Sequence, residues 1–270
     1  MKPTSLLIIS ASILLASCNE KHERRENNNN WVDTVTNKDH GPTKQREFSG
    51  DFDEIEVSQA IEAEIIKADK EKVVISAPSN IIDDILVDND GGKLHIHYKS
   101  GIRVMNNYKV TAKIYTKDFS KLIANSAASI AVKDKFTQEK TDIEVSSAAR
   151  ISGDLEANDF DISVDSSGNF EGKIWAVDLD VDGSSAASIS MSGKAKNAEI
   201  SSSSASSVSA KEVVVENLRA EASSGASVQI SAASKIDAEA SSSGSVNVYK
   251  RGNVTSVTKN ESSGGSVTIE

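Results

Sequence analysis

The chain has 270 residues, of which 40 are acidic and 30 basic, so its formal net charge is −10. This balance excludes nucleic acid as a partner, because binding to phosphates needs a basic surface. Only 38% of the residues are hydrophobic and 4% aromatic, which favours a slender all-β body over a packed α/β enzyme. The one cysteine permits neither an internal disulfide nor a cysteine-based zinc site.

The N-terminal segment, residues 1–17, has the pattern of a secretory signal peptide, with Lys2 at its start and a short apolar run behind it. The run is too short for a membrane span, which needs roughly 20 apolar residues. The sequence Leu15-Ala16-Ser17-Cys18 resembles the lipobox of bacterial lipoproteins, in which the leader is cut before the cysteine and the cysteine is acylated. We therefore predict that lipidated Cys18 anchors the mature chain to a membrane and that residues 18–45 form a flexible polar stalk.

The stalk is followed by residues 46–120, which lack the serine-rich motif of the later chain. Short stretches such as residues 61–65 and 94–98 alternate apolar and polar side chains, which predicts strands. A short helix or loop is expected over residues 79–85. We predict that this segment is an irregular β cap, since uncovered strand edges invite pairing with other chains.

From residue 121 onward the chain is built of a serine-rich repeat. Its eight copies are marked by serines 126, 147, 167, 185, 204, 224, 243 and 263, at spacings of 18 to 21 residues. Such a period indicates a repeat architecture, and the alternating segments between the copies predict strands with one buried face. Residues 121–270 are therefore predicted to coil as an all-β, single-stranded parallel β-helix of about 20-residue turns. A right-handed coil is expected, because parallel crossovers are predominantly right-handed.

The serine-rich copies are predicted to form tight corners. The residue after the marker serine is Ala in four copies and Gly in four, so we expect this position to need a small side chain and not a positive φ. The third and seventh copies are expected to be one residue shorter, because Phe170 and Val246 follow the marker sooner. A ladder of serine hydroxyls, bonded to local backbone groups and to each other, is expected to close the corners.

Three features of the chain together resemble a known family. They are the opening Phe48-Ser49-Gly50-Asp51-Phe52-Asp53-Glu54-Ile55-Glu56-Val57, the segment 94–98 after an acidic-glycine turn, and the recurring corner of Ser with Gly or Ala. Over residues 46–270 the pattern resembles the head GIN domain of the autotransporter adhesin family, although Ala often stands where Gly would be expected. The resemblance implies an adhesive, non-catalytic β-helical domain of a Gram-negative lipoprotein, held at the outer membrane on either its surface or its periplasmic side.

Aspartates on the outer side of the repeats are the strongest candidates for chemistry. They are Asp161, Asp165, Asp178, Asp180 and Asp182. The intervening Val177, Leu179 and Val181 are predicted to point inward. Clustered carboxylates act as acid and base in polysaccharide-cleaving enzymes or as calcium ligands, but solvated carboxylates are also expected in so acidic a chain.

The remaining residues offer weak candidates for metal and sugar sites. His95 and His97 would point to the same side of a strand, but no third ligand is evident, so we predict no metal and no cofactor. Trp175 is the only tryptophan of the repeats, so an aromatic platform for sugars is not expected.

The leading functional prediction is a non-catalytic, lipid-anchored module of the cell envelope, adhesive or structural. It would bind an unidentified protein or glycan over a polar face and not in a pocket. A polysaccharide-active enzyme that uses the Asp178, Asp180 and Asp182 face is the first alternative. A self-assembling module is the second, since stacking through the ends of the β-helix would make the chain a homo-oligomer.

Overall fold

The computed structural model describes residues 41–102 and 109–270, and this part of the chain is built of strands. The strands are β1 (Thr43–Ser49), β2 (Glu54–Val57), β3 (Glu62–Lys67), β4 (Lys72–Pro78), β5 (Ile85–Asp90), β6 (Lys93–Tyr98), β7 (Thr111–Thr116), β8 (Lys121–Ala124), β9 (Ser129–Val132), β10 (Phe136–Val145), β11 (Arg150–Val164), β12 (Asn169–Gly183), β13 (Ser188–Ser202), β14 (Ser207–Ala222), β15 (Ser227–Ala240), β16 (Ser245–Lys250), β17 (Ser256–Glu261) and β18 (Ser266–Ile269). One turn of 3₁₀ helix, Ile82–Asp84, precedes β5. Within the described ranges, no helix is long and apolar enough to cross a membrane. The predicted signal peptide, Cys18 and most of the stalk lie outside the described residues.

The repeats form a parallel β-solenoid in which each long strand pairs with the equivalent strand one turn later. Strands β10 to β15 pair in sequence order, and every one of these pairings is parallel. Ile151 is in register with Phe170, and Phe170 with Ile189, so equivalent residues in these turns are 19 positions apart. The predicted parallel β-helix is therefore confirmed.

Columns of inward side chains hold the turns together. The first inward residue after each corner is buried in all eight repeats: Ile130, Ile151, Phe170, Ile189, Val208, Val228, Val246 and Val267. One turn alone cannot bury these side chains, so the turns above and below complete the core. Because full burial of such a side chain contributes roughly 1.5–3 kcal/mol, stacking is the main source of stability.

Each serine-rich corner is a tight turn whose two central residues have positive φ. In the corner at residues 184–187, Ser185 and Ala186 have φ values of 51° and 62°, and the N–H of Ala187 donates to the carbonyl of Ser184 at 3.0 Å. The same pair of positive values recurs in all eight corners. This is the pattern of a type I′ turn, which requires φ > 0 at both central residues. The expectation that the residue after the marker needs no positive φ is therefore wrong in six copies, and Gly168 and Gly244 of the third and seventh copies are the exceptions.

The strand register shows that all eight corners have the same length. Phe170 is in register with Ile189, which makes Asp165 the first residue of the third corner. In the seventh corner Ser241 takes that place, since β15 and β16 are also in register. The expected shortening of the third and seventh copies is therefore wrong, because the markers in those copies are shifted by one position and no residue is missing.

A small side chain is required at the fourth corner residue. These residues are Ala128, Ala149, Gly168, Ala187, Ser206, Ala226, Gly244 and Gly265, and seven of the eight are buried. A Cβ on Gly168 would lie 2.7 Å from the carbonyl oxygen of Val145, so even a methyl group is too large in that turn. Positive φ thus belongs to the second and third corner residues and smallness to the fourth, and the sequence pattern does not separate them.

Backbone groups link one corner to the next. The N–H of the third corner residue donates to the carbonyl of the second residue in the following corner, as from Ala186 to Ser204 at 3.0 Å and from Ala205 to Ser224 at 3.1 Å. The serine side chains at the second position are exposed, and no hydrogen bond joins their hydroxyls to any other described residue. The expected ladder of serine hydroxyls is therefore wrong at this position. In the fifth corner, the fourth residue Ser206 does donate its hydroxyl to the carbonyl of Gly183 at 2.9 Å.

The corner stack begins before the serine-rich copies. Gln59 and Ala60 have φ values of 59° and 60°, and the N–H of Ala60 donates to the carbonyl of Ser126 at 2.9 Å. Strands β2 and β3 flank this corner and pair in parallel with β8 and β9. A ninth corner without the Ser-Ser motif therefore lies within residues 46–120.

The predicted irregular β cap mixes two kinds of strand pairing. Strand β1 pairs antiparallel with β4, β4 with β7, and β5 with β6. Strands β2 and β3 also pair in parallel with β6 and β7, so each is bonded on both sides. Strand pairing begins at Thr43, three residues before the predicted start of the domain.

Ala205→Gly is expected to stabilise the chain by about 0.5–1 kcal/mol, because left-handed backbone costs an L-residue more than it costs Gly. Ala205 has a φ of 61° and is exposed, so little packing is lost. The gain should appear as a higher urea midpoint. Ala210→Gly is the matched control, since Ala210 is fully buried in β14 and its loss should lower the midpoint. Equal midpoints for the two variants would contradict the strain argument.

Candidate functional site

Two outward surfaces flank the corner stack. The strand segments before the corners carry columns of carboxylates, which we call the acidic face. Its members are Asp142, Glu144, Asp161, Asp180, Asp182, Glu199, Glu221, Asp237 and Glu239. Paired strands are about 4.8 Å apart, so carboxylates in successive turns are close enough to repel one another.

Three of the predicted aspartates meet on this face, and a fourth lies at its edge. Asp161 is in register with Asp180, and Asp182 follows on the same side of β12. Asp178 lies at the edge, where its Oδ1 accepts a hydrogen bond from Asn197 Nδ2 at 2.7 Å. The four side chains line one surface and converge on no single point.

The fifth aspartate and one of the inward residues lie elsewhere than the sequence predicts. Asp165 is in the third corner, where its carbonyl accepts the N–H of Gly168 at 2.7 Å, and it is not part of the acidic face. Leu179 and Val181 are buried as predicted. Val177 is only half-buried, because the inward and outward alternation changes phase at this point of β12.

Basic side chains pair with the first two turns of the acidic face and with Glu199 and Glu221 farther along it. The pairs are Lys121 with Asp142 at 2.9 Å and with Glu144 at 2.5 Å, Lys140 with Asp161 at 3.0 Å, and Arg219 with Glu221 at 2.7 Å and with Glu199 at 3.5 Å. Asp180 and Asp182 form no ion pair with any residue in the described ranges. The centre of the face is therefore an uncompensated concentration of negative charge.

The pKa of Asp180 is raised above the ordinary value of an aspartate. Partial burial is the largest cause, and the charges of Asp182, Glu199 and Asp161 add to it. Asp180 lines a shallow groove of 510 Å³ that also contains Arg219. A raised pKa suits a general acid, which is the property that the enzyme alternative needs.

Asp180→Asn is expected to stabilise the chain at pH 7 by about 0.5 kcal/mol, a small amount because the group is largely exposed. The pKa of Asp180 is higher in the folded chain than in the unfolded chain, so above that pKa the ionised carboxylate lowers the free energy of unfolding. This loss is absent at a pH where Asp180 is protonated in both the folded and the unfolded chain. The gain in melting temperature should therefore shrink as the pH falls through the folded pKa and vanish well below about 3.9, the pKa of an unfolded aspartate. Asp178→Asn is the control, since Asp178 accepts a hydrogen bond from Asn197 and no gain is expected. A gain that persists at low pH would contradict this charge argument.

The two histidines of the cap are engaged with neighbouring side chains. Their rings stack with centroids 4.1 Å apart. His95 Nε2 lies 2.9 Å from Ser58 Oγ and 3.6 Å from Glu56, while His97 Nε2 lies 2.9 Å from Asp88. Burial lowers the pKa of His95, although the charge of Glu56 opposes this. Among residues 41–102 and 109–270, no three His, Cys, Asp or Glu side chains are placed to hold a metal ion.

The strand segments after the corners present a second surface, which we call the serine face. From the fourth repeat on, its outward residues are Ser188, Ser190, Ser207, Ser209, Ser227, Gln229, Ser245, Asn247, Ser266 and Thr268. None of these ten is charged, although 26% of the chain is. All are at least partly exposed. The sequence signal for this surface is an uncharged polar-apolar-polar triplet directly after each corner from the fourth repeat on, and the sequence-based candidates did not include it.

Solved structures with this fold are described mainly as adhesins. A putative adhesin from Parabacteroides merdae is 17% identical with a TM-score of 0.78, and the match covers 88% of this chain and 100% of that one. A putative adhesin from Parabacteroides distasonis is 18% identical with a TM-score of 0.75, covering 85% and 98%. A putative lipid binding protein from Parabacteroides distasonis is 18% identical with a TM-score of 0.68, covering 85% and 97%. At these identities the likeness establishes the fold alone.

The chain belongs to the family described as putative auto-transporter adhesin, head GIN domain, whose sequence model matches residues 51–252. The resemblance drawn from the sequence is thereby confirmed. Membership indicates an adhesin-like protein of the cell envelope or surface. No curated protein matches the chain.

Proposed function

We propose that the chain is a non-catalytic adhesive module, anchored in the outer membrane through lipidated Cys18 and binding its ligand over the serine face. The observation that carries the proposal is the absence of charge from ten outward positions in five successive turns, in a chain with 70 charged side chains. Family membership supports an adhesive role. The proposal is the one that the sequence favoured, now with a specific surface.

An uncharged face of hydroxyls and amides suits binding over an area. Each Ser, Thr, Asn and Gln side chain can both donate and accept hydrogen bonds. Removing such groups from water costs far less than removing charges that find no partner. The face lies on hydrogen-bonded strands, so its side chains are held in place before the ligand arrives and little ordering is lost on binding.

Replacing the serine face by a charged one tests the proposal. Bacteria displaying the Ser209→Lys, Asn247→Lys double variant should be retained on mucin-coated glass at least five-fold less than those displaying the unaltered chain. The matched control is Ser163→Lys, Ser201→Lys, which places two lysines the same two turns apart on the acidic side. Equal retention of both variants would count against the serine face as the binding surface.

The enzyme alternative has one specific observation in its favour, the raised pKa of Asp180 beside two further aspartates. It predicts that the purified chain releases reducing ends from an acidic polysaccharide such as polygalacturonate. The triple variant Asp178→Asn, Asp180→Asn, Asp182→Asn should then abolish the release while the circular-dichroism spectrum is unchanged. Under the non-catalytic proposal, we expect the unaltered chain to release no reducing ends.

A further inference from the structure

A third side of the solenoid carries an exposed tryptophan in a concave site. Trp175 is 37% exposed, and in the described ranges only Val257 is comparable among the large hydrophobic side chains. Trp175 lines a cavity of 300 Å³, which we call the tryptophan site. The other lining residues are Lys135, Asp154, Leu155, Glu156, Lys173, Ile174, Gly193 and Lys194.

The tryptophan site is positively charged on an acidic protein. Its lining holds three lysines against one aspartate and one glutamate, whereas the chain as a whole has a net charge of −10. Lys135 is occupied, since its Nζ lies 2.5 Å from Glu156. Lys173 and Lys194 form no ion pair with any residue that the structure describes. Two ammonium groups are therefore free to meet an anionic ligand beside the indole.

The solenoid places these groups around the indole by strand register. Lys194 is in register with Trp175 one turn later, and Glu156 is in register with it one turn earlier. Lys173 is two residues before Trp175 on the same strand, and therefore on the same outward side. At about 4.8 Å between paired strands, the flanking side chains reach the rim of the ring.

Glycine at position 193 keeps the floor of the site free of a side chain. A Cβ there would lie 1.9 Å from the carbonyl oxygen of Ile174, so no other residue fits this backbone. Trp175 also lines a second concave area of 540 Å³, together with Thr137, Lys140 and Asn158. The indole therefore stands between two depressions, which suits a ligand of more than one ring.

We propose that the tryptophan site binds a carboxylated pyranose sugar within an acidic glycan. The apolar C–H face of a pyranose packs against the indole, and the ammonium groups of Lys173 and Lys194 pair with the sugar carboxylate. Glu156 accepts hydrogen bonds from sugar hydroxyls. Hydrogen bonds from Lys135 and Thr137 lower the pKa of Glu156. Each carboxylate oxygen has one such partner, at 2.5 Å and 3.0 Å, and keeps a second lone pair for a sugar hydroxyl. This inference goes beyond the proposed adhesive function, because the tryptophan site shares no residue with the serine face.

The test is titration of the purified full chain, carrying Trp31→Phe so that Trp175 is the only tryptophan, with sugars while its fluorescence is followed. Tri-galacturonate and sialyllactose are the acidic probes, and galactotriose is the neutral one. At least one acidic probe should change the fluorescence with a Kd at least ten-fold below that of galactotriose. Raising the salt concentration should weaken this binding, because ammonium groups hold the carboxylate.

Variants separate the parts of the site, with calorimetry as the readout where the fluorophore is removed. Trp175→Ala should weaken binding of the acidic sugar at least ten-fold, and Lys173→Gln or Lys194→Gln several-fold each. Lys196→Gln is the matched control, because Lys196 is exposed on the same strand as Lys194 but does not line the site. Trp175→Phe, which keeps an aromatic ring, should retain most of the affinity.

Two results would overturn the inference. One is equal affinity for acidic and neutral sugars, or none for either. The other is unchanged affinity in Trp175→Ala. The adhesive proposal can fail or stand independently of this inference. If cells that display the Trp175→Ala chain still adhere to mucin through the serine face, the adhesive proposal stands and only the sugar site is lost.

Discussion

Gly193→Ala is expected to destabilise the chain by more than about 3 kcal/mol, because among the described glycines an added Cβ meets backbone most closely at this position. The new Cβ would lie 1.9 Å from the carbonyl oxygen of Ile174, in the strand that pairs with β13. That oxygen belongs to a backbone held by pairing on both sides, so it cannot move without parting two turns. Gly193 also has a φ of 124°, which L-residues rarely adopt. Urea unfolding followed by circular dichroism should show the loss.

Gly225→Ala is the matched control for this variant. Gly225 has a φ of 73°, but no atom lies within 4 Å of the position its Cβ would take. Ala148 and Ala186 occupy the same corner position in other repeats with φ values of 60° and 62°. A cost of only about 1 kcal/mol is therefore expected. Similar losses in the two variants would mean that backbone strain and not the clash governs position 193.

Phe170→Ala is expected to cost about 3–5 kcal/mol, because it removes the largest side chain of its core column. Phe170 is fully buried, and the neighbours in register are Ile151 and Ile189. Its ring fills the space that Gly172 leaves, since a Cβ on Gly172 would lie 3.0 Å from the Phe170 ring. Neither isoleucine can expand into the cavity, because strand pairing fixes the positions of both backbones. The midpoint of urea unfolding should fall accordingly.

Phe170→Leu distinguishes a packed core from a loosely filled one. Leu keeps most of the volume, so a cost below about 1.5 kcal/mol is expected. The same urea midpoint for the Ala and Leu variants would mean that the core column is not close-packed. Backbone hydrogen bonds between paired strands would then be the main source of stability in the stacked turns.

The fold could be predicted because the sequence shows both of its repeat lengths, that of one solenoid turn and that of the alternation within a strand. The spacing of the Ser-rich copies is the length of one turn, and alternation within 142–145 or 177–182 is the pleat of a strand. Both signals depend on side chains that repeat in every turn, so occasional irregular residues do not obscure them.

The details of the corners could not be predicted, because a run of serines does not show which residue is the first of the corner. Ser166 and Ser167 look like the Ser-Ser pair of other copies, yet they occupy the second and third places because Asp165 takes the first. Only strand register reveals the shift of one position. The hydroxyl ladder failed for a related reason: left-handed residues direct their side chains to solvent while the backbone forms the bonds between turns.

The candidate surfaces were predictable in part. Outward exposure of Asp178, Asp180 and Asp182 follows from alternation within β12. The pairing of Asp161 with Asp180, and the site around Trp175, depend on which residues of separate turns are in register. Lys194 is 19 positions from Trp175, and only the number of residues in the intervening bend sets them side by side.

The most direct measurement of the central claim is protease shaving of intact cells that express the full chain, beside a Cys18→Ala variant. An antibody to the repeats reports whether they are cut. We expect the unaltered chain to be cleaved on intact cells, and the Cys18→Ala chain to be absent from the surface and released from the membrane. Complete protection of the unaltered chain, lost only when the outer membrane is ruptured, would contradict surface display and with it the adhesive role.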